Sequence, residues 1–196
     1  HDVWSSELAL ALSPDQTFDR LITNSSPSPG RHLLRRLLIV LLTIAIVVPI
    51  TAVQRVTVTF VGATALSWSF VVVIQVVVAI GIIVSSSTRR VSLLHALDLW
   101  FAGHVPYSLW MLAVAAIAAN TRLVSPALLF VSALAPAAWT AWIVAAFCRR
   151  VLDVDRAGVR IRVVAHQVVV WIVAIAYAAF VSGGWFQIVN AGRLLR

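Results

Sequence analysis

The chain has 196 residues, of which 61% are hydrophobic and only 11% charged, whereas a soluble domain carries about 25% charge. Long uncharged stretches exclude an ordinary globular domain and indicate a polytopic, all-α membrane protein. The net charge is +8 and all 15 basic side chains are arginines, scattered between apolar stretches; this excludes a nucleic-acid-binding stripe and suits loops facing anionic headgroups.

Residues 1–36 form a polar N-terminal segment. Ser13-Pro14-Asp15-Gln16 predicts a helix start, with Ser13 as N-cap, Pro14 as first helical residue and Asp15 near the positive end of the helix dipole. Phe18, Leu21 and Ile22 then form one apolar stripe. Such a helix either lies on the membrane surface or caps the membrane core. Asn24 to Gly30 reads as a Ser/Pro linker. Residues 1–30 show no basic region followed by an apolar one, so the first long span is expected to act as its own targeting signal.

Residues 37–189 are expected to form a five-helix transmembrane domain, with 190–196 as a short tail. Span one is Leu37–Val53, at the short limit for a crossing, with Pro49 placed to bend its far end. Span two is Val56–Val84, whose alternating Val56-Thr57-Val58-Thr59-Phe60 start reads as extended. Val91–Ala119 is not uniform. Its first part, to Ala102, reads as an amphipathic surface helix carrying His95 and Asp98 on one face. Gly103 and Pro106 then mark an elbow into span three. In this reading Asp98 stays solvated at the interface and Trp100 is an interfacial anchor. Span four is Leu123–Cys148, kinked at Pro136, which lacks a backbone N–H. Arg149 and Arg150 open the most charged loop, and span five is Val163–Val189, with Ser182-Gly183-Gly184 in its far half.

The arginines orient these spans. Arg20, Arg31, Arg35, Arg36, Arg89, Arg90, Arg149, Arg150, Arg156, Arg160 and Arg162 fall on one side. Only Arg55, Arg122, Arg193 and Arg196 fall on the other. The positive-inside rule therefore puts the N-terminus in the cytoplasm and the C-terminus outside.

Candidate chemistry is sparse. Cys148 is the only cysteine, so no internal disulfide or cysteine-based metal cage exists. Two carboxylates poised for hydrolysis, a phosphate loop and a nucleophile elbow are all absent from the sequence, so no enzymatic activity is expected. A proton relay needs several intramembrane acids, yet Asp98 is the only acid between Asp19 and Asp153. His104 and His166, near the cytoplasmic ends of their spans, are the one histidine pair suited to two axial haem ligands; their plainer reading is as interfacial polar side chains. A quinone near Asp98, Trp100 and His104 is a further alternative, as is a small-molecule or lipid transporter with a cavity around Pro136.

The run Ser13-Pro14-Asp15-Gln16-Thr17-Phe18-Asp19-Arg20-Leu21-Ile22 resembles the Pro-x-x-Thr-Phe-x-x-Leu/Ile segment before the first span of the Yip family, the Rab-interacting membrane proteins. Gly103-His104-Val105-Pro106-Tyr107 resembles the Gly-x-x-Pro element opening that family's third span. The layout is similar to the family's bacterial branch. The resemblance implies five spans and an accessory role, and it carries over no catalytic residues. The expectation is a non-catalytic accessory or scaffold protein of a bacterial inner membrane, needing no cofactor. Its partners would be anionic lipid headgroups and other membrane subunits. Asp98, Trp100, Gly103, Pro106, Pro136, Arg149 and Arg150 would be its structural or interface residues.

Overall fold

A computed structural model describes residues 3–23, 28–53, 56–121 and 126–179. Among them the protein is all helical, and four helical stretches are long and apolar enough to cross a membrane: Pro29–Thr51, Val58–Val84, Leu93–Asn120 and Phe130–Arg150. The far half of the expected fifth span, including Ser182-Gly183-Gly184, lies outside the described residues, as does the turn around Arg122.

Two short helices come first: α1 (Val3–Leu12) and α2 (Pro14–Thr23). Helix α2 starts at Pro14, where the missing N–H of proline costs nothing. It buries Pro14, Thr17 and Phe18 against α8 (Leu134–Arg150), so it caps the helical core. The main helices are α3 (Pro29–Val53) and α4 (Val58–Val84). Helix α3 starts eight residues before the expected Leu37 and has 25 residues. Pro29 therefore belongs to a first helical turn, and Arg31, Arg35 and Arg36 ride on the helix. Pro49 sits inside α3 without ending it. Helix α4 begins at Val58, so Val58, Thr59 and Phe60 are helical rather than extended; Thr57 is extended, and its hydroxyl caps the helix by accepting from the Phe60 N–H at 3.2 Å.

The elbow is present, but its setting differs from expectation. Helix α5 (Leu93–Ala102) ends at Gly103, and α6 (Val105–Thr121) begins two residues later. Every residue from His95 to His104 is buried. The amphipathic surface helix is thus corrected to a core helix, enclosed by α3, α4 and α8 and covered by Leu10 of α1. Trp100, expected as an interfacial anchor, is only 4% exposed. Gly103 is there for close approach: a Cβ would lie 2.8 Å from Ile143 Cγ2 on α8.

The stretch Phe130–Arg150 is interrupted near Pro136, where the sequence predicts a kink. The helix breaks at Ala133, between α7 (Pro126–Ser132) and α8. Pro136 lies three residues on and lacks the N–H that would bond the Ser132 carbonyl at the end of α7, so the break falls where a proline interrupts a helix. The last described helix is α9 (Arg156–Ala179), packed on α8.

Three arginine-bearing segments meet at one end of the bundle. The Ser86 and Thr88 hydroxyls after α4 each donate to the Leu152 carbonyl at 3.1 Å. Arg90 pairs with Asp153 at 2.9 Å. On α2, Asp15 accepts from Arg149 and Arg150, both at 3.0 Å, and Asp19 lies 3.3 Å from Arg150. Partial burial alone would raise the Asp15 pKa, but the hydrogen bonds and charges of the two arginines outweigh it and hold the carboxyl below its ordinary 3.8.

Candidate functional site

The site is an apolar cavity of about 310 Å³ between α3, α4, α6, α8 and α9. Aliphatic side chains of α3, α4 and α9 line most of it, with Trp68, Trp100, Tyr107 and Trp110 among its aromatic walls. Its polar groups are few: Gln75, His104, Ser108, Thr140 and His166 beside the tyrosine hydroxyl. A volume of this order lined mainly by apolar groups, with a few polar ones, is the usual make-up of a small-molecule site.

Three of those polar groups have unmet hydrogen-bonding capacity. Among the described residues, Gln75 Oε1, Thr140 Oγ1 and His166 Nδ1 are buried with no partner. Thr140 is 2% exposed and His166 3%. Buried polar atoms are almost always paired, because an orphan forfeits its hydrogen bond to water without replacement. All three belong to residues that line the cavity.

The two histidines singled out from the sequence do meet here. The Trp100 indole joins them, its ring centroid 5.3 Å from His166 and 6.5 Å from His104. His104 stacks on Phe101 at 5.0 Å, and its Nδ1 lies 3.3 Å from the Trp100 carbonyl. That contact favours the tautomer with the proton on Nδ1, leaving Nε2 as an acceptor. His166 meets Trp100 edge-on. A ladder of edge contacts continues from Trp100 to Phe147 at 5.2 Å and from Phe147 to Phe18 at 5.7 Å. Phe18 of α2 thereby closes the end of the site beside Gly103, His104 and Thr140.

Asp98 does not face this cavity; it belongs to a separate buried ion network. Arg36 on α3 pairs with the Asp98 carboxylate and also donates to the Asp98 main-chain carbonyl at 2.6 Å. The same guanidinium reaches Glu7 of α1 at 3.1 Å. All three residues are at most 7% exposed. The expectation of a solvated Asp98 is corrected accordingly: a carboxylate this deeply buried persists because a cation and its hydrogen bonds compensate it. Arg149 and Arg150 are exposed and dock α2, as described above. Pro106 is fully buried, as the second residue of α6.

The sequence alone does not single out Arg36, Glu7, Gln75 or Thr140 as parts of a site. Arg36 was legible only as an orientation marker. The available signal was the isolation of Asp98, since a lone acid in an apolar region requires a cation. Nothing in the local sequence distinguishes Thr140 from any other helix threonine.

No protein-family model, curated protein or solved structure matches the chain. The described architecture defines the class: an integral membrane protein built of apolar helices, four of them long enough to cross a bilayer.

Proposed function

We propose that this protein is a non-catalytic binding protein of a bacterial inner membrane, holding one amphipathic molecule of membrane-quinone type in the cavity at Trp100. The carrying observation is the pairing of apolar, aromatic walls with unpartnered Gln75, Thr140 and His166. A quinone ring stacks on aromatic walls. Its oxygens accept from the Thr140 hydroxyl or from a histidine N–H, and the hydroxyls of the reduced form donate to Gln75. An accessory role in a larger membrane assembly, as the Yip-like layout implies, accommodates such a ligand-holding subunit.

In this reading the chain crosses the bilayer five times, with the N-terminus cytoplasmic and the C-terminus outside. The gathering of the N-terminal helices, the 85–92 loop and the 151–155 loop at one end supports a common arginine-rich cytoplasmic face. The apolar run of α9 from Val163 onward supports the fifth crossing.

The test uses full-length protein in mild detergent, titrated with a short-chain quinone while tryptophan fluorescence is followed. Saturable quenching is expected, lost in Met111→Trp, which fills the cavity, and weakened in His166→Phe. Absence of saturable quenching, or quenching unchanged by Met111→Trp, overturns the proposal. A Soret band in the purified protein, lost in His104→Ala, replaces the quinone by a haem.

A further inference from the structure

A second site lies outside the cavity, in an open groove of about 420 Å³ between α8 and α9. Arg149, Arg156 and Arg160 form its rim, and Val159, Val163 and Val164 form its floor. It shares no lining residue with the cavity. Arg149 is engaged by Asp15. Among the described residues, Arg156 and Arg160 have no hydrogen-bond or ion-pair partner. They stand four apart on one helix, where like charges repel. The nearest carboxylate in sequence, Asp155, is turned to the helix start, where it accepts from the Gly158 N–H at 3.1 Å.

We infer that this groove is a binding site for one anionic phospholipid of the surrounding bilayer. Two features select that occupant. The rim arginines stand where the apolar stretch Phe130–Arg150 ends, the level at which a phosphodiester lies. The valine floor runs on from them along α9, whose apolar stretch begins at Val163, so an acyl chain continues where the headgroup stops. A basic pocket between membrane helices with an apolar extension is matched by a headgroup and a tail together. A soluble anion would satisfy the rim and leave the valines uncovered.

The test is native mass spectrometry of the full chain in mild detergent. Phosphatidylglycerol is titrated against phosphatidylcholine with the same acyl chains. One phosphatidylglycerol is expected to bind in preference. Arg156→Gln/Arg160→Gln should lower that affinity roughly thirtyfold, the effect of two interfacial charges of about 1 kcal/mol each. Arg31→Gln/Arg35→Gln, which removes equal charge elsewhere, should leave it within about threefold, a margin below one such charge. Arg156→Lys/Arg160→Lys retains the charge and should retain the preference, so the proposal stays testable if the glutamine variant fails to fold. Equal binding of the two lipids overturns the proposal. So does an equal loss in both arginine-to-glutamine variants. Displacement by millimolar inorganic phosphate as effective as that by the lipid also overturns it, because the site would then be one for free phosphate.

Discussion

Arg36 and Asp98, 62 positions apart, are joined twice in the folded protein, through the aspartate carboxylate and through its main-chain carbonyl at 2.6 Å. The pair pins the start of α3 to the buried helix α5, and Glu7 extends it to α1. One arginine thus ties three elements that the chain order keeps apart.

Replacing Asp98 by Asn leaves the guanidinium of Arg36 buried with one carboxylate fewer. Breaking a buried pair by removing one partner costs about 3–5 kcal/mol. Asp98→Asn should lose stability in that range, and Glu7→Gln less, because Glu7 makes one contact at 3.1 Å. Chemical unfolding in detergent, followed by circular dichroism, measures both. Equal losses would show that the two carboxylates share the arginine evenly.

Gly103→Ala places a methyl group 2.8 Å from Ile143 Cγ2. Overpacking of this kind costs about 1–3 kcal/mol. Because the opposing atom is a branch methyl close to the α8 backbone, rotation gives little relief. Ile143→Ala removes the obstacle, so Gly103→Ala should cost distinctly less in that background. A double-mutant cycle reads the coupling directly.

Asp15 carries a pH dependence with a defined sign. Its folded pKa lies below the ordinary 3.8 because Arg149 and Arg150 favour the carboxylate over the opposing effect of burial. Its stabilising contribution is therefore fully present above the ordinary value and is lost as pH falls through the lower folded value. The pairs are half-exposed, so the effect is under about 1 kcal/mol. Unfolding midpoints of wild type and Asp15→Asn should differ near neutrality and converge in acid. A constant gap across that window would remove Asp15 as its source.

Thr140→Val should separate stability from binding. The Thr140 hydroxyl is buried without a partner among the described residues. Removing an unsatisfied hydroxyl of nearly the same shape is neutral or stabilising, by about 1 kcal/mol. The proposed ligand would lose its donor, and quinone quenching should weaken in the same variant. A variant that is destabilised and still binds normally would show that the hydroxyl serves the fold alone.

Much of the helical plan was legible in the sequence, because apolar runs and proline or serine signals are local. Pro14 opens α2, Thr57 caps α4, and Gly103 breaks the helix before Pro106. The start of α3 was misplaced because the apolar run begins after its arginines, while helical hydrogen bonding begins at Pro29. Pro136 is local in its effect too, because its missing N–H interrupts the helix one turn earlier, at Ala133.

What the sequence determined by itself is the class: a chain of long uncharged stretches flanked by arginines cannot bury its apolar surface in a small globule, so it takes lipid as solvent. The isolation of Asp98 and the pair His104 and His166 were also visible there. Only tertiary structure decided what these residues do. Burial of Asp98 depends on Arg36 arriving from another helix, and the two histidines share a site because Trp100 packs between α8 and α9. The elbow at Gly103 keeps its place in the sequence reading, but α1, α2 and α8 close over it and turn an expected surface feature into the wall of a cavity.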